Sequence, residues 1–242
     1  MAGRFAGKIV LVAGGTGGLG RAVSLAFLEE SANVVVTYRR QEEFASLNTA
    51  ASASAATGSS LEGHQVDVTD EAAVRRLTEA IIASRGRVDV LVNAVGGYAG
   101  GVALWETDSK VFDQMLALNL RSGYVLSRVI VPVMLKQRSG AIVNVSSRTA
   151  VDHAAGTAAY AASKAAAVAM IDSLAADLKG TGVRANSVLP SIIDTDINRK
   201  AMPNADFTKW PKPGDIARVI LFLCSDEARL IHGAAVPVYG ND

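Results

Sequence analysis

A tyrosine and a lysine four residues apart, in Tyr160-Ala161-Ala162-Ser163-Lys164, are the pair in this sequence best suited to moving a proton. On a helix, side chains at i and i+4 share a face, so phenol and ammonium can point into one cleft. A neighbouring positive charge favours phenolate and should lower a phenol pKa of ~10 by roughly 1–3 units. A tyrosine tuned in this way donates and accepts protons near neutrality. Ser147 stands thirteen residues before Tyr160, at the end of the apolar run Ile142-Val143-Asn144-Val145-Ser146.

A second group of residues suits a dinucleotide. An apolar strand runs into Ala13-Gly14-Gly15-Thr16-Gly17-Gly18-Leu19-Gly20 and then into a helical pattern. Glycines allow a tight turn and close approach to a pyrophosphate, and the helix N-terminus offers free N–H groups and a positive dipole end. The next strand ends in Val36-Thr37-Tyr38-Arg39-Arg40. An acidic residue there would accept hydrogen bonds from an adenosine ribose and repel a 2′-phosphate. Tyr38 stands in its place, and guanidinium groups suit phosphate oxygens, so NADP(H) is favoured over NAD(H). Arg40 has a competing reading as a solvated surface charge. In Val66-Asp67-Val68-Thr69-Asp70, Asp67 and Thr69 are also candidate helix caps.

The elements that must position these residues follow from hydrophobic patterning. Strands are predicted at Lys8–Ala13, Asn33–Thr37, Gly63–Val66, Asp89–Asn93, Gly140–Val145, Gly182–Val188 and Ala235–Val238. Most are near-continuous apolar runs, as in parallel strands buried on both faces. Helices are predicted near Leu19–Ser31, Glu71–Ser84, Ser109–Lys136, Ala158–Lys179 and Asp215–Ser225. The alternation predicts one α/β domain over residues 1–242, a doubly wound Rossmann-type parallel sheet of about seven strands with helices on both faces. The Ala/Ser-rich stretch Ala45–Ser60 reads as a surface helix plus loop, with a mobile segment as the alternative.

Composition narrows the function. Half the 242 residues are apolar and 19% are charged, which suits a folded chain with a sizeable core. A formal charge of +1 gives no electrostatic case for nucleic acid or an anionic membrane. Apolar runs fall short of the ~20 residues that span a bilayer. Cys224 is the single cysteine, so no intramolecular disulfide and no cysteine-based metal site can form, and it reads as a buried, inert thiol. No metal site is expected. The N-terminus lacks a signal-peptide pattern, which leads to the expectation of a cytoplasmic protein. The sequon Asn144-Val145-Ser146 falls in a predicted buried strand and reads as chance.

Taken together, the motifs resemble the short-chain dehydrogenase/reductase family. Gly14-x-x-x-Gly18-x-Gly20 is similar to its TGxxxGxG loop, with Ala13 where Thr is usual, and Ser147 with Tyr160 and Lys164 is similar to its S-x12-YxxxK signature. The resemblance implies hydride transfer with Tyr160 as proton donor, Ser147 on the reacting substrate atom, and Lys164 lowering the Tyr160 pKa while holding the nicotinamide ribose. Asn119 matches the family's fourth catalytic position, on a long helix, where it supports a proton relay. The implied cofactor contacts are Gly14, Thr16, Gly18, Leu19, Gly20, Tyr38, Arg39, Arg40, Asp67, Val68, Asn93, Tyr160, Lys164, Pro190, Ile193 and Thr195. Pro190-Ser191-Ile192-Ile193-Asp194-Thr195 resembles the PGxxxT nicotinamide loop, with Ser191 in place of Gly. The long helices Ser109–Lys136 and Ala158–Lys179 imply a homodimer or homotetramer.

Two further segments resemble dihydropteridine reductase: Gly96-Gly97-Tyr98-Ala99-Gly100-Gly101, and the lid region around residues 191–213, which contains Asn198-Arg199-Lys200-Ala201-Met202-Pro203-Asn204-Ala205-Asp206-Phe207-Thr208-Lys209-Trp210. A quinonoid dihydropteridine is therefore the leading small-molecule substrate, with Tyr98, Trp105, Phe207 and Trp210 as candidate aromatic walls. Tyr38-Arg39 and Ser147 depart from the animal dihydropteridine reductases. Ser147 favours the alternative, a 3-oxoacyl or general carbonyl reductase. A non-enzymatic NADP(H) sensor is the third reading. His153 is a possible substrate contact, whereas His64 and His232 read as structural or exposed.

Overall fold

A computed structural model describes residues 3–241. Seven parallel strands form one sheet: β1 (Ile9–Ala13), β2 (Asn33–Tyr38), β3 (Ser60–Gln65), β4 (Val90–Asn93), β5 (Gly140–Val145), β6 (Val183–Pro190) and β7 (Ala235–Val238). Their spatial order is β3-β2-β1-β4-β5-β6-β7, so the chain reverses direction across the sheet between β1 and β4. Such a switch point opens a crevice at the carboxyl ends of the strands.

Alternate residues of β1 feed two separate cores, which is why its five residues are apolar throughout. Val10 and Val12 face one layer, built on Leu19, Val23 and Phe27 of α1 (Gly18–Glu29), Leu47 of α2 (Gln41–Ser54) and Ile216 and Ile220 further on. Ile9 and Leu11 face the other layer, where Val74, Leu77 and Ile81 of α3 (Glu71–Arg85) meet Leu126 and Ile130. Helices on both faces thus remove each strand from water. Among the described residues, no helix is long and apolar enough to cross a membrane.

Most boundaries fall within two residues of those predicted, but two elements differ in substance. β3 begins at Ser60, three residues before the predicted start, because it is a half-buried edge strand registered on β2 from Asn33↔Ser60 to Tyr38↔Gln65. The predicted helix Ser109–Lys136 is a composite: α4 (Ser109–Leu116), a π-helical segment Ala117–Arg121 and α5 (Ser122–Gln137). The stretch read as helix plus loop has that form: α2 runs to Ser54 and a loop leads to β3.

Three helices complete the chain: α6 (Ala158–Asp177), α7 (Asp196–Ala201) and α8 (Pro213–Cys224). Cys224 is buried in the core beside α1, and burial pushes its thiol up to about 12, consistent with the inert reading. His232 is structural: Nδ1 accepts from Ala185 N at 3.2 Å while Nε2 lies 2.7 Å from the Ala175 carbonyl. His64 pairs with Glu62 at 2.8 Å on the edge strand.

The turn after β1 is closed by glycine packing. Gly14 has φ +72°, and a Cβ on Gly20 would lie 2.0 Å from the Gly14 carbonyl oxygen. Overpacking of this kind costs roughly 1–3 kcal/mol. Gly20→Ala is expected to lower unfolding free energy by about that amount, read as a reduced urea midpoint at unchanged slope. An unaltered midpoint would mean that the loop relaxes without strain.

Candidate active site

The Tyr160–Lys164 pair occupies the first two turns of α6, beneath the carboxyl ends of β4 and β5. Lys164 is buried, and its ammonium donates to the Val145 carbonyl at 3.0 Å. The nitrogen lies 5.9 Å from the centre of the Tyr160 ring, so it is close to the phenol face and anchored elsewhere. Burial lowers the Lys164 pKa from 10.5 to about 8.

Burial also raises the Tyr160 pKa, while a hydrogen bond with Ser147 opposes that rise and the neighbouring Tyr98 adds to it. This reverses the expectation of a lowered phenol pKa. Desolvation outweighs the attraction of an amine that is turned toward a backbone carbonyl. Ser147 follows β5 and caps the short turn Arg148–Ala150, with its oxygen accepting from Thr149 N at 3.2 Å.

Asn119 sits in the π-helical segment and is fully enclosed. Its Oδ1 accepts from Gly97 N at 2.9 Å, while Nδ2 donates to the Gly97 carbonyl and to Ser163 Oγ, both at 3.0 Å. Ser163 in turn donates to the Tyr160 carbonyl at 2.7 Å. A single amide thus ties the loop after β4 to α6. The π turn supplies the local change of helical phase, a feature common where helices carry functional groups. Gly96 makes this approach possible, because a Cβ there would stand 2.9 Å from Asn119 Oδ1 and 3.1 Å from Lys164 Nζ. Sequence reasoning missed Ser163 and the π turn. The pair Gly96-Gly97 was the available signal of close backbone approach.

The glycine loop fits a dinucleotide. α1 starts behind Gly17 with no side chain capping its first N–H groups, and Gly17 and Gly18 are exposed. Gly14 N and Gly15 N donate to Thr37 Oγ1 and O at 3.0 and 3.2 Å, which fixes the loop to the tip of β2. Leu19 is buried in the core, so it can offer a nucleotide only its backbone. The Tyr38 ring stacks on Phe44 at 4.9 Å, Arg39 is exposed, and Arg40 is paired with Glu43.

Several expected contacts are engaged elsewhere. Asn93 is buried, with Nδ2 donating to Asn144 Oδ1 at 2.9 Å and Oδ1 accepting from Val95 N at 3.2 Å. Its side chain therefore braces the strand ends, and only its backbone is left to face a nucleotide. Val68 is likewise buried, whereas Asp67 is exposed and accepts from Thr69 N and Oγ1 at 2.9 and 2.8 Å. Those two bonds, with the charge of Arg39, hold the Asp67 carboxyl below its ordinary range. Neither Asp67 nor Thr69 caps α3. Asp70 does, accepting from Ala72 N at 2.8 Å.

Pro190, the last residue of β6, is buried, and just beyond it Ser191 Oγ donates to the Tyr239 carbonyl at 2.7 Å. Among the described residues, only Ser31 and Arg138 of the non-glycines have positive φ, so Ser191 needs no glycine-only conformation. The Ile193 carbonyl accepts from Asn198 Nδ2 at 2.8 Å, and Thr195 caps α7. The Thr195 methyl lies where a Gly18 Cβ would stand, 2.9 Å away, so this loop meets the glycine loop across the crevice. Tyr98 packs edge-on against Tyr160 at 5.0 Å, whereas Trp105 points into solvent and Trp210 is buried behind Phe207. His153 is exposed, with Nδ1 3.0 Å from the Thr149 carbonyl.

A family model described as short chain dehydrogenase matches residues 8–206. The chain belongs to the short-chain dehydrogenase/reductase family. It is 32% identical over 246 residues to the 3-oxoacyl-(acyl-carrier-protein) reductase FabG of Thermotoga maritima, with 98% of each chain covered. It is also 32% identical to the D-threitol dehydrogenase of Mycolicibacterium smegmatis, over 98% of this chain and 94% of the other. A solved structure, ElxO with NADP bound, superposes with a TM-score of 0.87 at 28% identity, covering 96% of this chain and 97% of that one. This short-chain dehydrogenase/reductase is thus an oxidoreductase of a family that uses NAD(P)(H).

The buried amine gives a sign-definite pH effect. Because the Lys164 pKa in the fold is about 8 against an ordinary 10.5, the unfolded chain binds the extra proton between those values. Stability therefore rises with pH across that window. Urea unfolding of the protein and Lys164→Met should show the unsubstituted chain gaining about 3 kcal/mol on the variant from pH 7 to 10.5. Parallel curves would mean that the ammonium is solvated.

Proposed function

We propose that this chain is an NADP(H)-linked reductase of small carbonyl compounds, with residues 1–242 acting as one unit and residues 191–213 as the substrate lid. The observation that carries this reading is the convergence of Ser147, Tyr160, Lys164 and the Asn119 bridge at the β5 end of the crevice. A nicotinamide held in this crevice would supply the hydride. Ser147 holds the substrate oxygen beside the Tyr160 hydroxyl, and Tyr160 delivers its proton as the carbonyl carbon is reduced, giving an alcohol. The raised phenol pKa keeps that proton in place until negative charge develops on the substrate oxygen. Lys164 contributes positive charge at the phenol face and, through its ammonium, a donor for the nicotinamide ribose. Names of the relatives, a 3-oxoacyl reductase and a polyol dehydrogenase, support carbon–oxygen chemistry over other acceptors.

Arg39, exposed at the tip of β2 with no acidic residue in the preceding position, supports NADP(H) over NAD(H). A quinonoid dihydropteridine, the leading substrate on sequence alone, becomes the second reading because the relatives are named for carbon–oxygen chemistry. Tyr98 packed on Tyr160 and the aromatic pair Phe207–Trp210 in the lid are what favour it. An apolar groove between the α4–α5 helix and α6, lined by Leu116, Leu120, Tyr124 and Met170, supports assembly into homodimers.

Calorimetric titration with both nucleotides and a panel of acyl ketones, polyols and pterins tests these assignments. Tyr160→Phe is expected to lower turnover by about 10²–10⁴-fold while NADPH affinity stays within twofold. Binding of nucleotide without turnover of any panel member would favour a sensor. Tighter binding of NADH than NADPH would refute the role of Arg39.

A further inference from the structure

Glu43 engages two residues of the adenosine end at once. It is the third residue of α2, whose N-cap is Arg40, so its side chain folds back toward the tip of β2. Glu43 Oε2 accepts from Thr16 Oγ1 at 3.1 Å, and Oε1 accepts from Arg40 Nε at 2.9 Å and from a terminal nitrogen of the same guanidinium. The pairing raises the Arg40 pKa, with Glu42 adding a smaller contribution. Thr16 belongs to the glycine loop and Arg40 to the β2 tip, so one carboxylate links the two.

This placement is fixed by packing. Phe44, the next residue, stacks on Tyr38 with an interplanar angle of 8°. Its ring also fills the space above Gly63, where a Cβ would meet it at 2.2 Å. The first turn of α2 is thereby held against β2 and β3. A nucleotide with its pyrophosphate on the α1 N-terminus carries its adenosine ribose to the β2 tip. Thr16, Arg39, Arg40 and Glu43, which lie at that tip, would then face the ribose 2′ position. The Arg40 charge is already opposed by Glu43, while Arg39 acts on the Asp67 carboxylate.

We infer that Glu43 is a specificity-determining residue that restrains the preference for a 2′-phosphate, because its carboxylate holds Thr16 and Arg40 and must yield them before a phosphate can use them. The inference rests on the nucleotide site proposed above. A phosphate near a carboxylate also meets like-charge repulsion, which is moderate at a partly exposed site and weakens with salt. Glu43→Gln retains an acceptor for Thr16 but removes the charge.

Direct titration of NADPH and NADH into the protein and into Glu43→Gln, at low and high salt, tests this. The substitution is expected to tighten NADPH about five- to tenfold and to leave NADH within about twofold, the gain shrinking as salt rises. Arg40→Ala should weaken NADPH more in the Glu43→Gln background than alone, a coupling that a purely structural role for Glu43 would not produce. An unchanged NADPH/NADH affinity ratio, or a shift toward NADH, overturns the inference. Its failure is separable from that of the NADP(H) assignment. If the unsubstituted protein favours NADH yet Glu43→Gln shifts the ratio toward NADPH, the assignment falls and the inference stands. If Glu43→Gln proves unstable, Glu43→Asp, with a carboxylate too short to reach both Thr16 and Arg40, should shift the ratio in the same direction.

Discussion

The ammonium of Lys164 lies out of water at the end of β5, and the geometry around it follows from accommodating that charge. Its bond to the Val145 carbonyl attaches α6 to the carboxyl end of β5, an interior strand. Backbone must come close on the opposite side, which requires Gly96 to lack a side chain. The loop carrying Gly96 and Gly97 is then held by Asn119, and Asn119 reaches it from a helix that shifts to π geometry at that point. Removing a charge from water is unfavourable without such partners. A pKa lowered to about 8 is the residual sign of that cost.

The same desolvation acts on Tyr160 with a different consequence. An acid that must release a proton only when a substrate oxygen becomes basic gains from a phenol that stays neutral in the resting site. Ser147 works against the rise in pKa, so the hydroxyl pair is balanced between burial and hydrogen bonding. Tyr98 covers the pair edge-on, from a loop joined to the other wall by Gly101 N donating to the Gly156 carbonyl at 2.8 Å.

The two ends of the crevice are joined through the sheet switch point. The glycine loop is bonded to Thr37 at one side and approached by Thr195 at the other, so strands distant in sequence set its width. The β2 end of the crevice differs from the β5 end in character. Its Arg40–Glu43 pair sits at the first turn of α2, partly exposed, where solvent screening makes it adjustable, whereas Lys164 is buried.

Much of this protein is legible in its sequence because the deciding signals are local. Continuous apolar strands, the glycine spacing at Gly14–Gly20 and the Tyr160–Lys164 interval each reflect backbone periodicity or conformational freedom. Together they determined the parallel α/β sheet, the family and the grouping of Ser147 with Tyr160 and Lys164. Tertiary structure decided what depends on distance through space. The edge strand β3 takes its limits from pairing with β2, since a half-buried strand has little hydrophobic signal of its own. Asn93 and Val68 look available in the chain, yet burial turns their side chains away from the crevice. The direction of the Tyr160 shift could not be read from an i,i+4 spacing, because burial and the anchoring of Lys164 on Val145 outweigh proximity. The partners of Arg40 were hidden for the same reason: a carboxylate on the next helix finds the guanidinium only after β2 and α2 have packed together.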